Sequence, residues 1–197
     1  MNTDHDRKHR LRRRLLEVRG ALPADVAAVA AAGLADRALG LPELADAGTV
    51  AAYVSVGREP STRALIDRLR DAGKRVLLPV LLPDNDLDWA AYEGADRLVK
   101  AGRGLLEPAG PRLGPAAVTE ADVVLLPGLA VDRRGMRLGR GGGSYDRVLE
   151  RLERAAVHPV RVVLLYGGEV LEEVPAEPHD RPVDAAVTPS GVHRFVA

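Results

Sequence analysis

The sequence predicts an α/β protein, a single-domain three-layer sandwich in which helices cover both faces of a mostly parallel sheet. Two observations carry that expectation. Short apolar, β-branched runs at 50–56, 76–80, 123–126 and 160–166 alternate with stretches whose apolar residues recur at helical spacing. The 197 residues also fit one domain with a real core, and no internal repeat or low-complexity linker divides them, so the domain is expected to span 1–197.

Each element follows from local signals. Over 6–19, Leu11, Leu15 and Val18 recur at helical spacing among charges, and the opposite face is strongly basic. Pro23 and Asp25 open a second, Ala-rich helix that Gly40 and Pro42 end. After the run at 50–56, Ser61-Thr62 starts a helix that reaches Asp71 and stops at Gly73. The strand at 76–80 turns at Pro83-Asp84-Asn85 into 87–92, a further strand able to pair with it. Residues 102–115, rich in Gly and Pro, read as an irregular surface connection. A buried strand at 123–126, a glycine-rich segment, a helix over 144–155 and a last central strand at 160–166 complete the pattern.

Composition narrows the function. With 46% hydrophobic and 28% charged residues and a formal charge of zero, the chain is neither disordered nor built to coat nucleic acid. The absence of cysteine excludes disulfides and thiolate metal sites. Glu17 and Arg19 follow Arg12-Arg13-Arg14 too closely for a signal peptide, and the uncharged run at 26–35 is far shorter than the roughly 20 residues of a membrane span. The expectation is a cytoplasmic protein that binds neither membrane nor nucleic acid.

One segment carries chemistry. Pro127-Gly128-Leu129-Ala130-Val131-Asp132 leads through Gly135 to Arg137-Leu138-Gly139-Arg140-Gly141-Gly142-Gly143-Ser144-Tyr145-Asp146-Arg147. It leaves a strand's carboxyl end and enters a helix, which is where open α/β sheets place their ligands. Glycines at 139 and 141–143 let the backbone approach a ligand and turn N–H groups towards a phosphate, with a helix N-terminus behind. Arg137 and Arg140 can add charge, and Asp146 can hold a metal ion beside the phosphates. Glycine runs also make plain turns, and Ser144 can serve simply as an N-cap. Neither generic phosphate motif fits, since no Lys-Ser/Thr follows the last glycine and Ser144 stands where a dinucleotide fingerprint needs glycine. Taken alone, the segment is a specialised phosphate loop or no phosphate site at all.

Other candidates are weaker by themselves. Lys8 and Arg12 share a helix face, as residues of a solvated basic face also do. Glu59 lies in a loop after a strand, a position open to ligands, though most exposed loop glutamates have no role. Asp180 and Asp184 lie in a Pro-bounded segment where turn chemistry accounts for aspartate. Trp89, the only tryptophan, reads as core or pocket wall.

Together these residues resemble the 5-formyltetrahydrofolate cyclo-ligase family, also called methenyltetrahydrofolate synthetases. The long segment at 127–147 resembles the family's signature. Lys8, Leu11 and Arg12 resemble its N-terminal motif, Glu59 and Thr62 its Glu-x-x-Thr, and Pro178-His179-Asp180 with Val183-Asp184 its C-terminal motif. The resemblance spans about the whole chain. It implies a fold similar to the phosphosugar isomerase/CoA transferase-like group. It also implies ATP- and Mg2+-dependent closure of 5-formyltetrahydrofolate, polyglutamylated or not, by a monomer. The alternative is a non-catalytic nucleotide- or folate-binding relative.

The resemblance assigns ATP to Lys8, Arg12, Arg137, Leu138, Gly139, Arg140, Gly141, Gly142, Gly143, Ser144 and Tyr145. It assigns the folate to Arg12, Val54, Glu59, Arg140, Gly141, Gly142, Gly143 and Ser144. Asp146 and Asp180 would bind Mg2+, and Arg140 and Asp146 would be catalytic. Ser144 stands where the family carries the first of two aromatics, and Ser61 where it commonly carries an acid; both departures bear on folate affinity.

Overall fold

The computed structural model describes residues 3–195. In chain order the first half contains α1 (Asp4–Gly20), α2 (Ala24–Leu39), α3 (Pro42–Asp46), β1 (Thr49–Ala51), α4 (Arg63–Asp71), β2 (Arg75–Leu81) and β3 (Leu87–Ala91). The second half contains β4 (Leu98–Lys100), β5 (Leu106–Pro108), β6 (Val123–Pro127), β7 (Ala130–Asp132), β8 (Arg137–Leu138), α5 (Ser144–Arg154), β9 (Val160–Leu164), β10 (Val170–Leu171), β11 (Ala185–Thr188) and β12 (Gly191–Arg194).

Seven strands form the main sheet in the order β12-β11-β9-β6-β1-β2-β3. The interior pairs are parallel, and only the edges, β12 on β11 and β3 on β2, run antiparallel. Neighbouring residues of a strand point to opposite faces, so the buried stretch of each central strand is apolar at successive positions, with Thr49, Arg75 and Arg161 only at the less buried starts. Val50, Leu78, Val123, Leu125 and Val162 face α2, α3 and α4 through Leu34, Leu44, Ile66 and Leu69. Ala51, Leu77, Val124, Leu126 and Val163 face the opposite way, towards Val148, Leu149 and Leu152 of α5 and Val118 of a 3-10 turn. The three layers expected from the sequence are present.

Several elements differ from expectation. The run at 50–56 is a strand only to Ala51; after one more ladder bond at Ala52, the Tyr53 carbonyl accepts from the Thr62 hydroxyl at 2.6 Å instead of from a neighbouring strand. Residues 102–115 are not wholly irregular, because β5 pairs antiparallel with β4 around a 3-10 turn at Gly102–Gly104. The strand at 160–166 is not the last central one. β11 lies parallel beside it, and its Ala-Ala start carries too little β-branched signal to announce a strand.

Helix α1 packs on a second sheet of order β10-β7-β8, where Leu15 meets Leu129, Ala130, Leu138 and Val174. Val18, expected on its apolar face, is 63% exposed. The buried face carries Lys8, Leu15 and Arg19, with Leu11 and Arg12 half-buried beside them. Arg19 selects that face: its Nε and Nη2 donate to the two carboxylate oxygens of Glu169, both at 2.8 Å, and Nη2 also reaches the Gly128 carbonyl at 2.6 Å. A bidentate pair aligned this way satisfies charges that burial would otherwise penalise.

Truncating one member of such a pair strands the other. Arg19→Ala should therefore cost about 3–5 kcal/mol, while replacing both Arg19 and Glu169 by apolar residues of similar volume should cost much less. Urea unfolding of the two variants checks this; a small loss in the single variant would show that the pair does not hold α1.

Candidate active site

The segment between β6 and α5 forms a hairpin, β7 and β8, and then a bend at 139–143. Glycine is needed at specific points of that bend. Gly141 and Gly143 have φ of 99° and 77°, a region side chains rarely adopt, and a Cβ on Gly139 would fall 2.7 Å from an Arg137 nitrogen. Gly143, not Ser144, is the N-cap of α5, and no side chain caps that end. Arg147 N–H is the donor that first reaches back to the Gly143 carbonyl, so the preceding N–H groups of the turn face the bend without a helical acceptor.

Two arginines brace the bend differently. Arg137 is buried, donates to the Pro127 carbonyl at 3.0 Å and to Asp146 Oδ1 at 3.0 Å, and burial pushes its pKa down. Arg140 is half-exposed, with Nη1 3.8 Å from Glu59 Oε1.

From the side of α1, Arg12 Nε donates to the Gly139 carbonyl at 2.9 Å, and its guanidinium lies against Gly141. One turn earlier, Lys8 Nζ donates to Asp180 Oδ2 at 2.5 Å and to Glu177 Oε2 at 2.7 Å. Burial opposes the charge of Lys8, but the two carboxylates outweigh it and raise its pKa. Burial likewise opposes the Asp180 carboxylate, and the Glu177 N–H together with Lys8 outweighs it and lowers that pKa. Lys8 and Arg12 are thus turned inward and paired, while Arg7, Arg10, Arg13 and Arg14 of the same helix are exposed.

A cavity of about 390 Å³ opens beside the bend. Val54, Val56 and Glu59 form one wall; Pro79, Leu81 and Leu87 join the β4–β5 hairpin in a second; Gly139 to Asp146 form the third. Thr62 sets the first wall, since its hydroxyl accepts from Ser55 N–H at 3.0 Å while its own N–H donates to the Ser55 hydroxyl at 3.1 Å. Glu59 Oε2 accepts from Val56 N–H at 2.7 Å. Burial raises the Glu59 pKa against the lowering effects of that N–H and of Arg140. Tyr53 and Tyr145 meet edge to face at 6.5 Å, and the buried Tyr53 hydroxyl has no partner among the described residues.

Of the residues the sequence singled out, Val54, Glu59, Arg137, Gly139, Arg140, Gly141, Gly142, Gly143, Ser144, Tyr145 and Asp146 border this cavity. Lys8, Arg12 and Asp180 do not; they gather around α1, where Arg12 meets the bend. Leu138 sends its side chain into the core beneath α1, so a ligand can meet only its main chain. Trp89 is fully buried in the core and not a cavity wall. Asp184 pairs with Arg161, away from Asp180. Sequence reasoning missed Tyr53, Arg103, Leu105 and Leu106. The last three sit in the Gly- and Pro-rich stretch read as surface, where three apolar or cationic side chains gave no periodic signal.

A family model for the 5-formyltetrahydrofolate cyclo-ligase family matches residues 4–189. The chain belongs to this family. A cyclo-ligase from Mycolicibacterium smegmatis is 43% identical over 187 residues, 92% of this chain and 93% of the relative. One from Escherichia coli strain K12 is 36% identical over 160 residues, 80% of this chain and 87% of the relative. The solved structure of the Aquifex aeolicus 5,10-methenyltetrahydrofolate synthetase superposes with a TM-score of 0.82 at 28% identity, covering 96% of this chain and 93% of that one. This cyclo-ligase family member is therefore an enzyme, with the α/β architecture of its relatives. No single helix among its described residues is long and apolar enough to cross a membrane.

The raised pKa of Glu59 gives a pH test. A carboxyl with a higher pKa folded than unfolded holds its proton more tightly in the folded state, so the folded state loses stability as pH rises through that window. Glu59→Gln should therefore stabilise the protein at pH 7, and the gain should disappear as pH falls below the ordinary glutamate value of 4.5. Urea midpoints at pH 7 and pH 4 check this; a gain of equal size at both would contradict it.

Proposed function

We propose that the enzyme closes 5-formyltetrahydrofolate to 5,10-methenyltetrahydrofolate as ATP is converted to ADP and phosphate. One observation supports this above the rest: the bend at 139–143 is met by Arg12 of α1 and also borders an apolar cavity containing a buried carboxylate. Two ligands, one polyanionic and one flat and largely apolar, can thus meet at a single stretch of backbone.

The triphosphate lies on the bend, between its N–H groups and the cations Lys8, Arg12, Arg137 and Arg140, with Leu138, Ser144 and Tyr145 adjoining it. The folate lies in the cavity between Val54, Glu59 and Arg140, reaching Arg12 only where that side chain meets the bend, and the glycines and Ser144 lie beneath its reacting end. Glu59 accepts hydrogen bonds from ring N–H groups of the substrate. Backbone and arginine charge then hold the γ-phosphoryl group against the formyl oxygen. That oxygen attacks phosphorus and the bond to ADP breaks. N10 attacks the formyl carbon and loses its proton, and the carbon–oxygen bond breaks to release phosphate. The chemistry needs alignment and charge neutralisation, not a protein nucleophile.

The donor set suits magnesium bound with nucleotide. Among the described residues no three His, Cys, Asp or Glu side chains cluster as a protein cage would require. Magnesium beside phosphates needs only one or two carboxylates. Asp146 Oδ1 is held by Arg137, and Asp180 Oδ2 by Lys8 and the Glu177 N–H, which leaves Asp146 Oδ2 and Asp180 Oδ1 for a metal, the latter with His179 Nε2 3.7 Å away. Bound there, Mg2+ supplies positive charge to the phosphates. Asp146 and Arg140, next to the reacting atoms, are the catalytic side chains.

Following the ultraviolet absorbance of the methenyl product tests the reading. The signal should require ATP and Mg2+ together, and Asp146→Asn or Asp180→Asn should reduce it at least roughly 100-fold with circular dichroism unchanged. Full turnover without ATP, or in both variants, would refute the assignment.

A further inference from the structure

We propose that Arg103, at the tip of the β4–β5 hairpin, binds the glutamyl carboxylates of the folate; this rests on the cavity being the folate site. Three arginines line that cavity. Arg137 is paired with Asp146 at 3.0 Å and Arg140 with Glu59 at 3.8 Å. Among the described residues Arg103 has no carboxylate in ion-pair reach, and its one hydrogen bond is to a neutral group, from Nη1 to Asn85 Oδ1 at 3.1 Å. That bond fixes the guanidinium plane by one corner. The Nε–Nη2 edge, the fork that matches a carboxylate, stays uncommitted.

Position agrees with this role. Arg103 is exposed at the rim, whereas the Glu59 side chain is only 10% exposed, and Leu105 and Leu106 contribute apolar wall. A pteridine and aminobenzoyl system suits the enclosed, apolar part, so the tail carboxylates, which burial would penalise, must emerge at the rim. Arg103 also adopts φ 60° and ψ 25°, the left-handed region that glycine occupies without strain, between Gly102 and Gly104. Glycine adopts that conformation freely, so Arg103→Gly removes the side chain without adding backbone strain.

Steady-state kinetics on the full chain test this with two substrates, 5-formyltetrahydrofolate and its pteroate analogue lacking glutamate. Arg103→Gly suits the backbone and should leave the urea midpoint unchanged. It should raise KM for the glutamylated substrate about threefold to tenfold, as expected for a partly exposed charged contact. KM for the pteroate analogue should be equal in both proteins, and Arg103→Lys should restore part of the loss. An unchanged KM for the glutamylated substrate, or an equal rise for both substrates, would overturn the assignment of Arg103 alone. A parent chain inert towards 5-formyltetrahydrofolate would instead overturn the activity itself, and this inference with it.

Discussion

The docking of α1 through three cations on its buried face is the constraint on which the rest of the site depends. Lys8, Arg12 and Arg19 follow one another along that face, and each finds its partner in a segment far away in the chain: Glu177 and Asp180, the Gly139 carbonyl, and Glu169 with the Gly128 carbonyl. Burying cations is unfavourable unless each is matched by a well-placed acceptor, so the helix can lie in only one rotation and one register. Leu15, between them, closes the remaining apolar contact with Leu129 and Leu138. The bend is therefore not a free glycine loop. It is pinned from one side by Arg12 and from the other by Arg137.

The sheet explains why the functional groups converge. β1, β2, β6 and β9 are parallel, so their carboxyl ends open in one direction. From β1 comes the loop bearing Tyr53, Val54 and Glu59; from β2 come Pro79 and Leu81; from β6 come Gly128 and the bend. Glu169, which anchors α1 by holding Arg19, follows β9. Glycine at 128 serves the same packing, because a Cβ there would stand 2.7 Å from Val163 of the neighbouring strand.

The layered fold was legible because central strands buried on both faces read as unbroken apolar runs, and helices between them carry a second period. The short strands β7, β8, β10 and β12 were not, since two to four residues show no period and their pairing comes from tertiary contact. The glycine segment stood out by its composition, which alone left a phosphate loop and a plain turn both open. Its meaning depended on what surrounds it, and that was hidden. Lys8 and Arg12 looked like a solvated face because the carboxylate that buries Lys8 lies more than a hundred and sixty residues away. Arg19 and Glu169 gave no local signal for the same reason. Thr62 was readable as a helix start, yet its hydroxyl ties down the Tyr53 carbonyl, a role set by the end of β1 and not by the helix.

The central claim is that the main chain from Gly139 to Tyr145, held in place by α1, grips a triphosphate. Amide hydrogen exchange with and without a non-hydrolysable ATP analogue and Mg2+ tests it most directly. The account predicts slowed exchange at the bend and the first turn of α5, accompanied by slowing in α1 around Arg12. Unchanged exchange at these amides under saturating nucleotide, with protection arising elsewhere, would contradict it.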